Sequence, residues 1–186
     1  MAAVRLRADA QRNRAALLAA ARQVFSEDGL NASLDEIARR AGVGNATLYR
    51  RFPTRQDLIA AVFADRKAVQ VEMADRALRH PDPWTGFTEY VFALGELQAT
   101  DRGLGELLVT VTFEGDERLM QLRATSQRRA REVIRRAQDA GALRADFTLD
   151  DLMLLLMGNA GVVRRSPDPD GWRRLLTLAL EGLTAR

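Results

Sequence analysis

The stretch Asn45-Ala46-Thr47-Leu48-Tyr49-Arg50-Arg51 gathers an amide, a hydroxyl, a phenol and two guanidiniums just ahead of Pro53. If it is helical, at about 100° per residue, Leu48 and Phe52 share one side. Ala46 and Arg50 then lie opposite, with Thr47 and Tyr49 flanking. That outer face suits a nucleic-acid duplex. Arg50 can offer two parallel donors to a guanine edge, worth ~1–3 kcal/mol of discrimination between bases. Ala46 meets a thymine methyl or simply permits close approach. Thr47 and Tyr49 suit phosphate oxygens, which fix register without reading sequence. Ser33 just upstream and Arg55 just downstream are placed to clamp phosphates on either side. Asn45 either caps the short helix or reaches an adenine, and its spacing leaves both open.

Positioning these groups requires a tight helix pair. Ser33 can cap a helix, with Glu36 three residues on to complete a capping box. Leu34, Ile37, Ala38 and Ala41 follow at helical spacing, and Gly42 ends the helix. Gly42-Val43-Gly44 makes a turn of three residues into the short helix at 45–51. This is the helix-turn-helix pattern. A preceding helix over 9–28, with Leu17, Leu18, Ala21, Val24 and Phe25 on one stripe and Gly29 as its stop, completes a three-helix head. Thr54-Arg55-Gln56-Asp57 opens a fourth, long helix with a second box-like cap, reaching about Arg79. His80-Pro81-Asp82-Pro83 is the clearest break before the remaining helices, expected near 84–100, 102–113, 115–141, 148–164 and 168–184. The chain thus reads as all-α with about nine helices: a DNA-binding head over 1–55, and a helical body over 56–186 in which the long helix is the joint.

Charge supports the division. Among 186 residues with net charge +3, positions 1–55 hold ten arginines against five acids, whereas 56–186 are nearly balanced. A basic head on a neutral body fits a polyanionic partner at one end. Lys67 is the single lysine, and there is no cysteine, which removes disulfides, thiolate metal sites and cysteine nucleophiles. No apolar run approaches the ~20 residues that span a bilayer, and no signal core follows Arg5 and Arg7, so a cytoplasmic protein without a membrane partner is expected. Catalysis finds no support. His80 sits beside Pro81 at a boundary. The acid pairs Asp116-Glu117 and Asp150-Asp151 lie at helix starts, where the helix dipole accounts for them. No phosphate loop, metal pair, cofactor motif or nucleophile motif is present. A protein-interaction module is the other alternative, through Arg123, Arg128, Arg129, Arg131, Arg135 and Arg136. The interspersed Glu132 and Asp139 favour a solvated face for that helix.

Residues 15–63 resemble the DNA-binding domain of the tetracycline-repressor (TetR) family. The resemblance is carried by Ala21-x-x-x-Phe25, Gly29, Ser33-Leu34-x-x-Ile37-Ala38, Ala41-Gly42-Val43, Thr47-Leu48-Tyr49-x-x-Phe52 and Leu58. It implies Thr47, Tyr49, Ser33 and Arg55 on the DNA backbone and Ala46 and Arg50 near bases. Gly44 departs from the serine or threonine that the family often has as the cap of its recognition helix, although glycine is itself an acceptable cap.

A two-fold pair of heads must reach half-sites about one turn apart, ~34–36 Å, so the body has to supply a dimer interface. Apolar stripes on the last two helices offer one, with Leu152, Leu156 and Ala160 on the first and Leu176, Ala179 and Leu183 on the second. The resemblance implies that these helices build a four-helix interface. It also implies a small-molecule effector pocket in the body, whose binding swings the long helix and respaces the heads. Phe87, Tyr90, Val91, Leu94, Phe113, Met120 and Met157 are the candidate lining, equally consistent with ordinary core, and the sequence displays no buried charge that would name a ligand type. The expected function is a homodimeric regulator, a repressor released from a palindromic operator by a ligand. A regulator without a ligand response stands as the alternative.

Overall fold

The computed structural model describes residues 2–101 and 116–185. Among them are eight helices: α1 (Ala2–Asp28), α2 (Leu34–Arg40), α3 (Asn45–Arg51), α4 (Arg55–Arg79), α5 (Pro83–Asp101), α6 (Glu117–Asp139), α7 (Leu149–Arg165) and α8 (Gly171–Glu181). The only β-type pairing among the described residues is one bridge between Leu143 and Thr184. The helix expected over 102–113 lies outside the described residues. The helix α1 begins seven residues before the expected Asp9.

Two cores organise the chain. The head core joins Leu17, Leu18, Val24 and Phe25 of α1, Ile37 and Ala38 of α2 and Leu48 of α3, with Leu58, Ile59, Val62 and Phe63 from the first half of α4. Leu119, near the start of α6, closes it from the body side. The second core gathers Phe87, Tyr90, Val91 and Leu94 of α5, Val133 and Ile134 of α6, Leu152 of α7, and Trp172, Leu176 and Leu180 of α8. Because α4 gives its first half to the head and Ala74 and Ala77 to the body, it is the shared beam of the molecule. At a rise of about 1.5 Å per residue its 25 residues extend about 37 Å.

Local chemistry explains the ends of these helices. Thr54 and Asp57 form a complete capping box at the start of α4: Asp57 N–H donates to Thr54 Oγ1, and Thr54 N–H donates to Asp57 Oδ2. Thr148 and Asp151 repeat it on α7. At α2 the expected box is half made. Ser33 Oγ accepts from Glu36 N–H, but both Glu36 carboxylate oxygens turn to Arg39 and Arg40 at 2.7 Å. Two guanidiniums three and four residues on outcompete a single backbone amide for that carboxylate. The Arg39 bond first, then that of Arg40, holds the Glu36 carboxyl down at about 2. Gly42 takes φ +67°, the left-handed conformation that lets the chain leave α2 and start α3 within three residues.

Candidate DNA-reading face and body cavity

The short helix α3 is held by one side. Leu48 is fully buried and Phe52 nearly so, whereas Asn45, Ala46, Tyr49, Arg50 and Arg51 are exposed and Thr47 is half-buried. Truncating Leu48 to Ala would cost ~2–5 kcal/mol by leaving a cavity in the head core. Tyr49, at 46% exposure, has no packing reason to be aromatic within the protomer. The helix begins at Gly44, whose backbone is extended and which supplies no side-chain cap. Gly44 holds the cap position, so Asn45 does not cap α3; its Nδ2 donates to Asp35 Oδ1 at 2.8 Å, tying α3 to the start of α2.

The arginines of the head divide into engaged and free. Arg39 and Arg40 bind Glu36, and Arg40 also reaches Glu27 at 2.6 Å. Arg22 pairs with Asp65 at 2.5 Å and fastens α1 to α4. Arg55 Nη1 donates to the carbonyls of Leu30 and Ala32, so this expected phosphate clamp also pins the α1–α2 turn to α4. Ser33 is exposed, its oxygen already accepting the helix cap. Arg50 and Arg51 make no ion pair among the described residues. Apart from Arg14 of α1, the free positive charge among the described head residues therefore sits on the outer face of α3, beside the Tyr49 phenol.

In the body, a cavity of about 190 Å³ opens between α4, α5, α6 and α7. Its apolar wall consists of Phe63, Tyr90, Leu94, Ala130, Leu149, Leu152, Met153, Leu156, Met157, Ala160 and Val163. Of the expected lining, Tyr90, Leu94 and Met157 are there. Phe87 and Val91 are not: they are core, with Phe87 packed at 5.7 Å on Trp84 and edge-on to Phe147 at 5.8 Å. Met120 is 59% exposed and lies off the cavity. Phe113 falls outside the described residues.

The expected dimer stripe also needs correction. Leu152 and Leu176 are buried inside the protomer, and Leu152, Leu156 and Ala160 face the cavity. Ala179 on α8 and Leu183 just past its end are half-buried, Leu183 against the body core. What α7 and α8 turn outward is Leu154, Met157, Gly158 and Leu178, with Leu154 at 65% and Leu178 at 49% exposure. A methyl added to Gly158 or Gly161 would touch nothing within 4 Å in the protomer, so intramolecular packing does not demand their smallness.

Sequence reasoning saw no buried charge in the body, and here the structure differs most. Arg66 is buried on α4, and with Lys67 and Arg123 it lines the cavity beside Gln70, Gln98, Ser126 and Gln127. Lys67 Nζ donates to Gln70 Oε1 at 2.8 Å and lies 5.6 Å from the centre of the Phe63 ring. Burial, then the neighbouring charges of Arg66 and Arg123, lowers the Lys67 ammonium to about 8. Gln98 joins α5 to α7, donating to Leu156 O at 3.0 Å and accepting from the fully buried Asn159 at 2.9 Å. The signal available in the sequence was the Lys67 singleton on a helix otherwise rich in arginine.

Residues 82–185 match the family profile described as "Transcriptional regulator SbtR-like, C-terminal domain", and residues 17–62 match that of "Bacterial regulatory proteins, tetR family". The chain belongs to the TetR family of bacterial transcriptional regulators. Among solved structures, the TetR transcriptional regulator SCO0520 of Streptomyces coelicolor is 33% identical, with a TM-score of 0.73 over 92% of this chain and 98% of that one. A TetR transcription regulatory protein of Mycobacterium vanbaalenii is also 33% identical, with a TM-score of 0.72 over 97% and 99%. The HTH-type transcriptional repressor BepR of Brucella suis shares 38% identity over 100 residues, which is 52% of this chain and only 48% of BepR. The repressor LfrR of Mycolicibacterium smegmatis shares 28% over 170 residues, 91% of this chain and 76% of LfrR. This TetR-family chain thus carries its helix-turn-helix in α2 and α3, and its α5 to α8 lie in the segment matched to the C-terminal domain. His80 sits at the C-terminal cap of α4, and its ring Nδ1 engages the backbone of Asp82. Among the described residues, no helix is long and apolar enough to cross a membrane.

Proposed function

We propose that this TetR-family regulator is a homodimeric repressor that reads a palindromic operator with α3 and leaves it when a small molecule occupies the body cavity. The observation that carries the reading is the outer face of α3. It presents an exposed arginine free of intramolecular ion pairs, an exposed phenol and a small alanine on a helix held by a buried leucine. An exposed arginine without a carboxylate keeps its full donor fork for a guanine edge. Thr47 and Tyr49 beside it take phosphate oxygens, as do Ser33 and the remaining donors of Arg55 at the ends of the neighbouring helices, and Asn45 stands where it can reach an adenine.

The dimer uses the outward stripe of α7 and α8. Leu154, Met157 and Leu178 form an apolar face that a lone protomer leaves in water, and Gly158 and Gly161 allow a partner helix to approach closely. Glycine in a helix interior costs roughly 0.5–1 kcal/mol relative to alanine, a cost that close packing across a two-fold axis offsets. Repression is what BepR and LfrR are named for, and effector release goes beyond those names. Selection of bound duplexes from a random pool tests the reading. The expected outcome is an inverted repeat with half-site centres set by the helical repeat, bound by a dimer in a salt-dependent way. Enrichment of a direct repeat, or no enrichment, would overturn it.

A further inference from the structure

Of the 28 lysines and arginines in the chain, Lys67 is the single lysine, and it stands on the wall of the body cavity. The two cationic side chains differ in one respect that matters there. A guanidinium stays protonated in a protein, whereas a lysine can give up its proton and become a nucleophilic amine. The surroundings of Lys67 favour the amine. Its Nζ has one acceptor among the described residues, Gln70 Oε1 at 2.8 Å, and that oxygen also takes the Ser126 hydroxyl at 3.3 Å. Its other neighbour is the face of the Phe63 ring, and it makes no ion pair among the described residues. An ammonium has three N–H donors to place and a charge to hold; an amine has fewer donors, no charge and a lone pair to offer. Burial, with the nearby Arg66 and Arg123, accordingly brings the group down to about 8. The rest of the same cavity is mostly apolar, with Leu94, Leu152, Leu156, Met157 and Val163 on its wall. An amine and an apolar wall thus share one enclosed space.

We propose that Lys67 is a carbonyl-capture site, and that the effector of this regulator is an aldehyde with an apolar chain, held as a reversible imine on Lys67 Nζ with its chain against the Leu94, Leu152, Leu156, Met157 and Val163 wall. The inference rests on the cavity being the effector site and goes further by naming the ligand's reactive group and shape. The Nζ lone pair attacks the carbonyl carbon and forms the C–N bond. The carbonyl oxygen then leaves as one water, carrying the two protons of the amine. Nothing is oxidised or reduced, and hydrolysis of the imine returns both partners. The aldehyde uses both parts of the cavity, its carbon taking the amine and its chain the wall. The ionisable groups that line the cavity around Lys67 are Arg66 from its own helix, Arg123 from α6 and Tyr90 from α5, while α7 contributes only apolar side chains.

The experiment uses the full-length protein with octanal or acetaldehyde and cyanoborohydride, which reduces an imine to a stable secondary amine. Peptide mass mapping then reads the adduct at Lys67, with the N-terminal α-amine as internal standard. The preference for octanal over acetaldehyde is expected to be at least roughly tenfold greater at Lys67 than at the N-terminus, because only Lys67 has a wall for the chain. Adding 1-octanol, which fills the wall but forms no imine, should slow labelling of Lys67 about fivefold or more and leave the N-terminus unchanged. Labelling of Lys67 should be half-maximal near pH 8 in the folded protein, and in urea should keep rising toward the ordinary lysine range. By fluorescence anisotropy, octanal should release the selected operator at a concentration at least roughly tenfold lower for wild type than for Lys67→Arg, which keeps the charge and lacks the nucleophile. The octanol competition and the pH profile use wild-type protein alone, so they decide the matter if Lys67→Arg misfolds. No adduct at Lys67, the same octanal preference at both amines, labelling indifferent to octanol, or a folded-state pH profile of an ordinary lysine overturns the proposal. An adduct formed with the operator retained instead defeats the effector reading and leaves the capture site standing. Release by octanol as readily as by octanal, with no adduct at Lys67, does the reverse.

Discussion

Arg50→Ala isolates the reading function from the fold. Arg50 is exposed and makes no ion pair among the described residues, so its loss should change stability by no more than about 0.5 kcal/mol. A bidentate contact to guanine is worth ~1–3 kcal/mol, and a two-fold dimer uses it twice, so binding to the full operator should weaken by ~2–6 kcal/mol, roughly 30-fold or more. The loss should concentrate on one base pair in each half-site. Operators carrying each alternative base there should bind the variant equally, while wild-type protein keeps its preference. Arg39→Ala is the internal control. Arg39 is as exposed, but its Nε and Nη2 are both held by Glu36 at 2.7 Å, so its removal should change operator affinity several-fold at most. The assay is fluorescence anisotropy on a panel of single-substituted duplexes over a range of salt. If Arg50→Ala weakens every duplex equally and lowers the salt slope by about one per subunit, Arg50 touches phosphate and the base-reading argument fails. Equal losses for Arg39→Ala would mean that a different face of the head meets DNA.

Other outcomes follow from the body. Leu154→Glu combined with Leu178→Glu places four carboxylates in the proposed two-fold interface, each costing several kcal/mol without a partner, so sedimentation should show monomers and operator affinity should collapse. Gly95→Ala should be destabilising by ~1–3 kcal/mol, because its Cβ would come within 2.6 Å of Leu176 Cδ1 and 2.8 Å of the Trp172 ring; chemical denaturation reads the loss directly. Lys67 carries a stability signature in alkali. Its ammonium is lowered to about 8 by burial, Arg66 and Arg123, and the unfolded chain holds that proton up to the ordinary lysine range. Between these limits the unfolded state binds more protons, so this group's contribution to stability should rise with pH from about 8 to about 10.5. The groups facing it are Arg66 from its own helix, Arg123 from α6 and the neutral Tyr90 from α5. Lys67→Met should abolish that rise in denaturant midpoints measured across this range.

The head was legible because short-range rules decide it. A serine cap, a glycine able to take positive φ, and Leu48 four residues before Phe52 are enough to orient α3, and the structure buries Leu48 and exposes Tyr49 and Arg50 as that spacing requires. The failure at Glu36 was of the same range: a local competition between a backbone amide and two arginines, which the charges won. The body is different. Residues 152–157 of α7 are six consecutive apolar side chains, so helical periodicity cannot say which stripe faces inward. The packing of α5 and α8 chooses, sending Leu152 to the core and cavity and Leu154 to the outside. The cavity's cations were hidden for a related reason. They stand on α4, which reads as a connector, and on α6, whose arginines read as a solvated face; only the tertiary arrangement brings them together.

Phe63 makes the route from cavity to head short. It belongs to the head core with Leu58, Ile59 and Val62, and it is also a wall of the cavity and the ring beneath Lys67. One turn of α4 thus separates Lys67 on the cavity wall from the packing that orients α1 and α3. At the near end, Asp65 receives Arg22 of α1, and Arg55 holds the α1–α2 turn, so the head follows α4 as a body. A ligand in the cavity need not alter α3 internally; a small tilt of α4 about its body contacts at Ala74 and Ala77 is magnified over the roughly 30 Å of helix between them and Arg55. Such a tilt changes DNA affinity only by as much as the ligand prefers the tilted state, and a preference of about 10⁴-fold is needed to carry the population from 1:99 to 99:1.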